Sequence, residues 1–186
     1  MSKAANFLVE IGTEELPPKA LRSLMEAFGE KLASGVDTAL LSHGEVKTFA
    51  SPRRLTVFIA DLAERQDDRK IEQKGPPISI AFDDAGKPTP AAEAFAKKCG
   101  TTVDALGRNK TDKGEWLALE SLTKGKTVAD LLPGLIEKSL NTLPIPRRMR
   151  WGAGDAEFVR PVHWIVMLHG NKTIEASIMG IDAGNK

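Results

Sequence analysis

The sequence predicts an α+β fold in which an antiparallel or mixed sheet is covered by two longer amphipathic helices. Three observations lead to this prediction. Short runs of β-branched and aromatic residues alternate with helical segments. Apolar residues recur at helical spacing in two stretches, 18–43 and 127–143. The 186 residues also have an ordinary globular composition, with 41% hydrophobic and 27% charged residues.

The first predicted elements are a strand, a long helix and two more strands. FLVEI at 7–11 is rich in large and β-branched residues, which favours a strand. The apolar stripe from Leu21 to Leu40 predicts a helix over 18–43. VKTFA at 46–50 and LTVFIADL at 55–62 are predicted strands joined by a short turn. This order is typical of a helix that covers one face of an antiparallel sheet.

The middle of the chain predicts a small helical insertion. Residues 64–77 are polar and end in Gly-Pro-Pro, which indicates an exposed excursion. Thr89 and Pro90 are suited to the N-cap and first position of a helix that Gly100 ends. TTVDAL at 101–106 predicts a second short helix. The two helices form a possible insertion at 88–107 within an α+β region that spans 1–186.

The last third begins with a predicted strand, WLALESL at 116–122, preceded by a turn at 112–114. Thr127 and Asp130 resemble a capping box at the start of the second long helix, which Pro133 should kink or shift. VHWIVMLHG and TIEASIMGI then predict a hairpin.

Composition excludes several classes of protein. A formal net charge of +1 gives no global field that would attract nucleic acid or an acidic membrane. The single cysteine, Cys99, excludes an internal disulfide and any multi-thiolate metal site. The sequence has no secretory signal and no apolar stretch near the roughly eighteen residues of a membrane span. We therefore expect a cytoplasmic protein with no membrane partner.

No catalytic or metal-binding residue is predicted. Glu10, Glu14 and Glu15 have no histidine near them in the sequence, so we expect Glu14 and Glu15 to favour the positive start of the following helix. The turn after the first strand is acidic and has one glycine, which is wrong for a phosphate. No nucleotide-binding glycine motif follows a strand.

Two arginine-rich turns remain as a candidate binding site. One carries Arg53 and Arg54, and the other has the sequence PIPRRMRWG at 144–152. Arginines that contact phosphates beside an aromatic ring that stacks on a base form a nucleic-acid surface. The alternative is that the tryptophan belongs to the core and the arginines surround it. The candidate RNA-binding residues are Arg53, Arg54, Arg147, Arg148, Arg150 and Trp151.

Six separated motifs, in one order, resemble the beta subunit of the bacterial heterotetrameric glycyl-tRNA synthetase. They are NFLVEIGTEELPPKAL at the N-terminus, SPRRL at 51–55, KGP at 74–76, AFDDAGKPTPAAEAFAKKCG at 81–100, PIPRRMRWG at 144–152 and FVRPVHW at 158–164. The resemblance runs through almost the whole chain. The family subunit is several times longer, so the resemblance implies that 1–186 is an N-terminal part of it.

The resemblance implies a part in the ATP-dependent attachment of glycine to tRNA-Gly. In that family a separate alpha subunit carries the class II catalytic core, which uses ATP with Mg, and the beta subunit contributes tRNA recognition. We therefore expect no cofactor in this region, and three partners: the alpha subunit, tRNA-Gly and the remainder of the beta subunit. The alternative is an RNA-independent module that docks on the alpha subunit or on the rest of its own subunit.

Overall fold

The structure is a computed structural model that describes residues 3–83, 85–111 and 114–184. The chain divides into two compact units, which are described separately. The first unit contains Met1–Asp67 and Gly125–Lys186, and the second contains Asp68–Lys124. No helix in the described ranges is long and apolar enough to cross a membrane.

The elements follow one another in the order β1 (Ala4–Thr13), α1 (Pro18–Thr38), β2 (Val46–Ser51), β3 (Arg54–Ala63), β4 (Arg69–Pro77), α2 (Ile78–Ala81), α3 (Pro90–Lys98), a short 3₁₀ helix (Val103–Ala105), β5 (Gly107–Thr111), β6 (Gly114–Thr123), α4 (Val128–Asn141), β7 (Met149–Arg150), β8 (Glu157–Phe158), β9 (Val162–His169), β10 (Lys172–Thr173), β11 (Ser177–Ile178) and β12 (Ile181–Gly184).

The first unit is built on a seven-stranded sheet with the order β11-β12-β9-β1-β3-β2, with β10 also paired to β9. Strand β1 lies in the centre and pairs antiparallel with both β3 and β9. Strand β12 pairs parallel with β9, so the sheet is mixed. The prediction of an α+β fold with an antiparallel or mixed sheet is therefore confirmed.

Helices α1 and α4 supply the apolar layer that covers one face of this sheet. The buried positions of α1 are Leu24, Phe28, Gly29, Leu32 and Val36, and those of α4 include Leu132, Ile136 and Leu140. These residues form one core with alternate positions of β1, β3 and β9, which begin with Phe7, Leu55 and Ile165. The two predicted helical stripes therefore face the sheet, as their spacing predicts.

Helix α1 is shorter than predicted, because it ends at Thr38 and not near His43. Leu40 fits the helical spacing, but it has a φ of 53° and is 58% exposed. The N–H of Leu41 donates to the carbonyl of Val36, and the N–H of Leu40 donates to that of Asp37. These bonds form a Schellman motif in which a leucine occupies the left-handed position that glycine usually takes.

Helix α4 begins as predicted, with Thr127 at its N-cap and a reciprocal bond to Asp130. It ends at Asn141, and Pro133 lies inside it. The predicted second arm of the following hairpin is wrong, because 173–181 is not one strand. It breaks after β10 and forms a tight β11–β12 hairpin, whose turn residues Met179 and Gly180 both have positive φ.

The second unit contains the three-stranded sheet β4-β6-β5 with α2, α3 and the 3₁₀ helix. Ala81, Ala92 and Leu117 form its small core, against which Phe82 and Phe95 pack. The helices predicted within 88–107 are present, at Pro90–Lys98 and Val103–Ala105. The predicted turn at 112–114 lies mostly outside the described residues, although Thr111 and Gly114 are paired across it.

The prediction that 64–77 is exposed is confirmed, because most of its described side chains are exposed and none is buried, but Arg69–Pro77 forms strand β4 and not an irregular excursion. This strand pairs with β6 along its length, from Arg69 opposite Thr123 to Pro77 opposite Trp116. Strand β4 is at the edge of its sheet, where prolines and charged residues are tolerated because one side of the strand has no partner to bond.

Candidate functional site

The turn at 144–152 holds three of the predicted arginines, and each has a different environment. Arg148 is half-buried and donates to the backbone carbonyls of Leu140, Asn141 and Glu157, at 3.4, 2.7 and 3.3 Å. Leu140 and Asn141 are the last residues of α4, whose carbonyls have no partner within the helix. Arg148 therefore caps the C-terminus of α4 and ties it to β8.

Arg147 and Arg150 lie on either side of this cap and are exposed. Arg150 is 3.6 Å from the carboxylate of Asp155 in an ion pair at the surface. Arg147 has no ionic or hydrogen-bonding partner among the residues that the structure describes. Of the three arginines, Arg147 and Arg150 are therefore available to an external anion, whereas Arg148 is used by the fold.

Trp151 is half-buried and packs against the main hydrophobic core of the first unit. This contact anchors the turn, which is one of the two roles considered for Trp151 from the sequence. A cavity of about 610 Å³ beside Arg148 is lined by three carboxylates, those of Glu137, Asp155 and Glu157. Such a lining repels a phosphate.

The second turn carries Arg53 and Arg54 between β2 and β3, and both arginines contact carboxylates near the start of the chain. Arg53 is 3.4 Å from Glu15 in an exposed pair. Arg54 is 3.8 Å from Glu10, and its guanidinium lies 5.8 Å from the centre of the Trp164 ring. Arg54 therefore joins β3 to β1, whereas Arg53 joins the β2–β3 turn to the segment that follows β1.

The two arginine-rich turns are linked through Glu15 and Arg160. The backbone carbonyl of Glu15 accepts a bond of 3.0 Å from Arg160, and the Glu15 carboxylate accepts one from Arg53. The guanidinium of Arg160 also lies 3.9 Å from the sulfur of Met149, in the other turn. The fold thus connects the two turns by a chain of contacts, although Arg53, Arg54, Arg148 and Arg150 each contact a different partner.

No histidine is close to the acidic residues in the sequence, but the fold brings one to them. Pairing of β1 with β9 places the Nε2 atom of His163 2.9 Å from Glu14. Glu14 and Glu15 precede α1 as predicted, but their side chains bond to His163 and Arg53, and not to the start of the helix. Glu14 and His163 are 149 residues apart in the sequence, so no local pattern reveals their contact.

Sequence reasoning missed a second surface, the face of the seven-stranded sheet that the helices do not cover. We call it the open face. It consists of the positions of four neighbouring strands that point away from the helices: Lys47 and Phe49 on β2, Arg54, Thr56 and Phe58 on β3, Leu8, Glu10 and Gly12 on β1, and Trp164, Val166 and Leu168 on β9. Of these, Gly12 and Val166 are buried by their neighbours. Continuous apolar runs such as WIVML at 164–168 are the signal that could have identified it, because successive residues of a strand point to opposite faces of the sheet.

Glu10 lies at the centre of the open face and holds its polar groups together. Its carboxylate accepts a bond of 3.3 Å from the hydroxyl of Thr56 and one of 3.3 Å from the indole N–H of Trp164. Arg54 completes the set from the neighbouring strand. The ring of Trp164 lies over Gly12, where a Cβ atom would come within 1.9 Å of it. A carboxylate with these three partners is neutralised within the protein.

Comparisons with known proteins agree with the motifs in the sequence. The family profile described as glycyl-tRNA synthetase beta subunit matches residues 7–186. The glycine–tRNA ligase beta subunit of Marinobacter nauticus is 53% identical over 181 residues, which are 97% of this chain and 26% of that protein. The beta subunits of Hahella chejuensis and Salmonella paratyphi B are 54% and 55% identical over 180 and 177 residues.

The matches cover nearly all of this chain but only part of each relative. They cover 97% of this chain for Hahella chejuensis and 95% for Salmonella paratyphi B, but only 26% of either relative. The chain thus spans about a quarter of the length of the curated relatives that it matches. The profile covers nearly all of the described residues, including both units. The chain belongs to the glycyl-tRNA synthetase beta subunit family.

Proposed function

We propose that this chain is a noncatalytic region of the beta subunit of a glycyl-tRNA synthetase, and that it serves the assembly of the enzyme. The complete enzyme would attach glycine to tRNA-Gly with ATP and Mg in the cytoplasm, as an alpha2beta2 heterotetramer. The alpha subunit would perform the chemistry. Family membership supports the enzyme, and the geometry of this region supports the role within it.

The observation that carries the assembly role is the way in which the fold uses its charged residues. Arg54, Arg148 and Glu10 each bond to two or more groups of the first unit. Charges that are satisfied internally contribute little to the attraction of a polyanion. The open face, in contrast, presents apolar side chains in neighbouring strands, which is typical of a surface that meets another protein surface.

Deletion of 1–186 from the full-length beta subunit tests this role. We expect the remaining beta subunit to lose aminoacylation of tRNA-Gly when it is mixed with the alpha subunit, and native mass spectrometry to detect less heterotetramer. The matched measurement is glycine activation in the same mixture of alpha subunit and shortened beta subunit, which we expect the deletion to leave unchanged. Full aminoacylation without 1–186 would refute the proposal.

Direct binding of tRNA-Gly is a second candidate function, which three exposed arginines favour. Arg53 and Arg150 are 61% and 63% exposed and belong to ion pairs longer than 3.3 Å, and Arg147 is unpaired among the described residues. Exposed ion pairs contribute at most about 1 kcal/mol, so a phosphate can displace the carboxylate.

A triple variant separates the two candidates in the full-length enzyme. Replacement of Arg53, Arg147 and Arg150 by alanine leaves the structural residues Arg54 and Arg148 in place. If these side chains contact phosphates, the slope of log affinity for tRNA-Gly against log salt falls by about 3, or about 1 for each contact. The control removes three cations from α1, at Lys19, Arg22 and Lys31. Equal slopes for both variants would exclude the arginines from the tRNA interface.

A further inference from the structure

The apolar side chains of the open face lie outside the hydrophobic core of the first unit. Cross-strand neighbours form three rows on it: Trp164, Gly12 and Arg54, then Val166, Glu10, Thr56 and Phe49, and then Leu168, Leu8, Phe58 and Lys47. Apolar side chains occur in every row and on all four strands. Phe49 is 55% exposed, although it occupies a strand position well suited to packing.

The apolar content of the open face calls for a partner. Contiguous apolar patches on stable monomers are small, and larger ones mark interaction sites. The opposite face of the same sheet is covered by α1 and α4, so the sheet has one packed side and one open side. A sheet with apolar residues on both faces is typical of the middle layer of a three-layer arrangement.

The charges of the open face favour a protein partner over RNA. Arg54 is balanced by Glu10, and Lys47 lies 3.1 Å from Glu45, so the cations on this face already have carboxylate partners. A phosphate backbone would have to approach Glu10, which is half-buried and points to this face. An apolar surface without net charge avoids this repulsion, and the two hydrogen bonds that Glu10 already accepts there offset part of the cost of removing its water.

The length of the relatives favours a partner within the same polypeptide. The matched region is 26% of the beta subunits of Marinobacter nauticus, Hahella chejuensis and Salmonella paratyphi B. A covalently linked segment has a high effective concentration, so it covers an apolar face without help from a second molecule. Permanent cover of this kind suits a face that would otherwise expose phenylalanine on an edge strand.

We propose that the open face is covered by an apolar, uncharged surface that belongs to the beta subunit outside residues 1–186. This inference rests on the proposed function, because it names the surface through which the region takes part in assembly. Phe49, Phe58 and Leu168 form the apolar part of the contact. Glu10, with its three partners, forms a neutral polar centre that fixes the position of the contact without leaving a buried group unpaired.

Lysine labelling of the full-length beta subunit tests the proposal without a mutation. Lys47 is on the open face and in an ion pair with Glu45, and Lys172 is in an ion pair with Glu64 away from that face. Their side chains are 52% and 81% exposed, so exposure alone gives less than a twofold difference in accessible surface. We expect an amine-reactive reagent to modify Lys47 about tenfold more slowly than Lys172 when the beta subunit is alone, as a docking free energy of about 1.4 kcal/mol would give. Peptide mass spectrometry reports both rates.

A variant connects this protection to the open face itself. Phe49→Glu places a charge within the proposed contact, so the rate at Lys47 should rise toward that at Lys172. Leu40→Glu is the control, because Leu40 is equally exposed but belongs to the helical layer. It should leave the rate at Lys47 unchanged. If Phe49→Glu does not fold, the labelling of the unmodified subunit still decides the proposal.

Three outcomes overturn the inference. Equal labelling of Lys47 and Lys172 in the beta subunit alone means that the face is open. Protection that needs the alpha subunit assigns the face to that subunit, and protection that needs tRNA-Gly assigns it to RNA. None of these results affects the deletion experiment, so a failure of this inference is distinguishable from a failure of the proposed assembly role.

Discussion

Gly12 and Trp164 form the closest contact of the open face, and glycine is the residue that permits it. Any side chain at position 12 would overlap the indole ring, because a Cβ atom there lies 1.9 to 2.3 Å from three ring atoms. The indole must keep this position to donate its N–H to Glu10. The absence of a side chain at Gly12 thus allows Trp164 to keep its hydrogen bond to Glu10.

We predict that Gly12→Ala lowers the free energy of unfolding by about 1 to 3 kcal/mol, the usual cost of overpacking. Urea unfolding followed by circular dichroism measures the change. Gly154→Ala is the control, since no described atom lies within 4 Å of its Cβ position, and it should shift stability by less than about 0.5 kcal/mol. In a Trp164→Leu background the cost of Gly12→Ala should shrink. An equal cost in both backgrounds would contradict the overlap.

The candidate arginines illustrate what the sequence reveals of individual residues. Their clustering and their place in two turns are visible in the letters. Their partners are not, because Arg53 meets Glu15 at a separation of 38 residues. The packing of Trp151 against the core also depends on the whole first unit. A count of charges therefore overestimates the cations that an external anion can use.

At the scale of elements, features set by neighbouring residues were predictable. The capping box at the start of α4 joins residues three positions apart, and the Thr127 hydroxyl is 2.6 Å from the Asp130 carboxylate. Elements that depend on pairing between residues far apart in the sequence were not predictable. Strand β4 exists because β6 pairs with it, and the polar sequence of β4 suggests no strand. The end of α1 depends on a backbone turn at Leu40 that hydrophobic spacing conceals.

The capping box has a pH dependence that follows from its hydrogen bonds. Bonds to Asp130 from the hydroxyl and then from the backbone N–H of Thr127 lower the pKa of Asp130 below its ordinary value of 3.8. A group whose pKa is depressed on folding stabilises the protein above the unfolded pKa. This stabilisation is lost as the pH falls through the folded pKa.

We predict that Asp130→Asn destabilises the protein at neutral pH, and that the difference from the unmodified chain decreases as the pH falls below about 4. Denaturant unfolding at a series of pH values gives this difference. In a Thr127→Ala background, which lacks the hydroxyl donor, the same substitution should have a smaller effect at every pH. A difference that stays constant down to the lowest pH would show that the Asp130 charge plays no part.

At the scale of the whole molecule, the first unit is discontinuous in sequence but closes on itself where the second unit begins and ends. The N–H of Gln66 donates to the carbonyl of Lys126 at 2.9 Å, and the N–H of Lys126 donates to the Gln66 side chain at 3.1 Å. Arg65 and Thr127 also form a β-bridge. The two ends of the first unit therefore meet within the unit itself.

We predict that the first unit folds without Asp68–Lys124. A short glycine-serine linker from Asp67 to Gly125 has almost no distance to span, so the chain closes at little entropic cost. The shortened protein should unfold in one cooperative transition with its sheet signal in circular dichroism intact. The matched variant removes the same number of residues from within the first unit and should not fold. An unfolded product from the first deletion would contradict the prediction.

The cation–π contact of the second unit has a practical consequence. The ammonium of Lys74 lies over the ring of Trp116, 4.3 Å from its centre. The other two tryptophans of the chain, Trp151 and Trp164, belong to the first unit. Replacing those two by phenylalanine leaves a single emitting indole, in the second unit. Its fluorescence then reports the unfolding of that unit alone, while the far-ultraviolet signal reports on both.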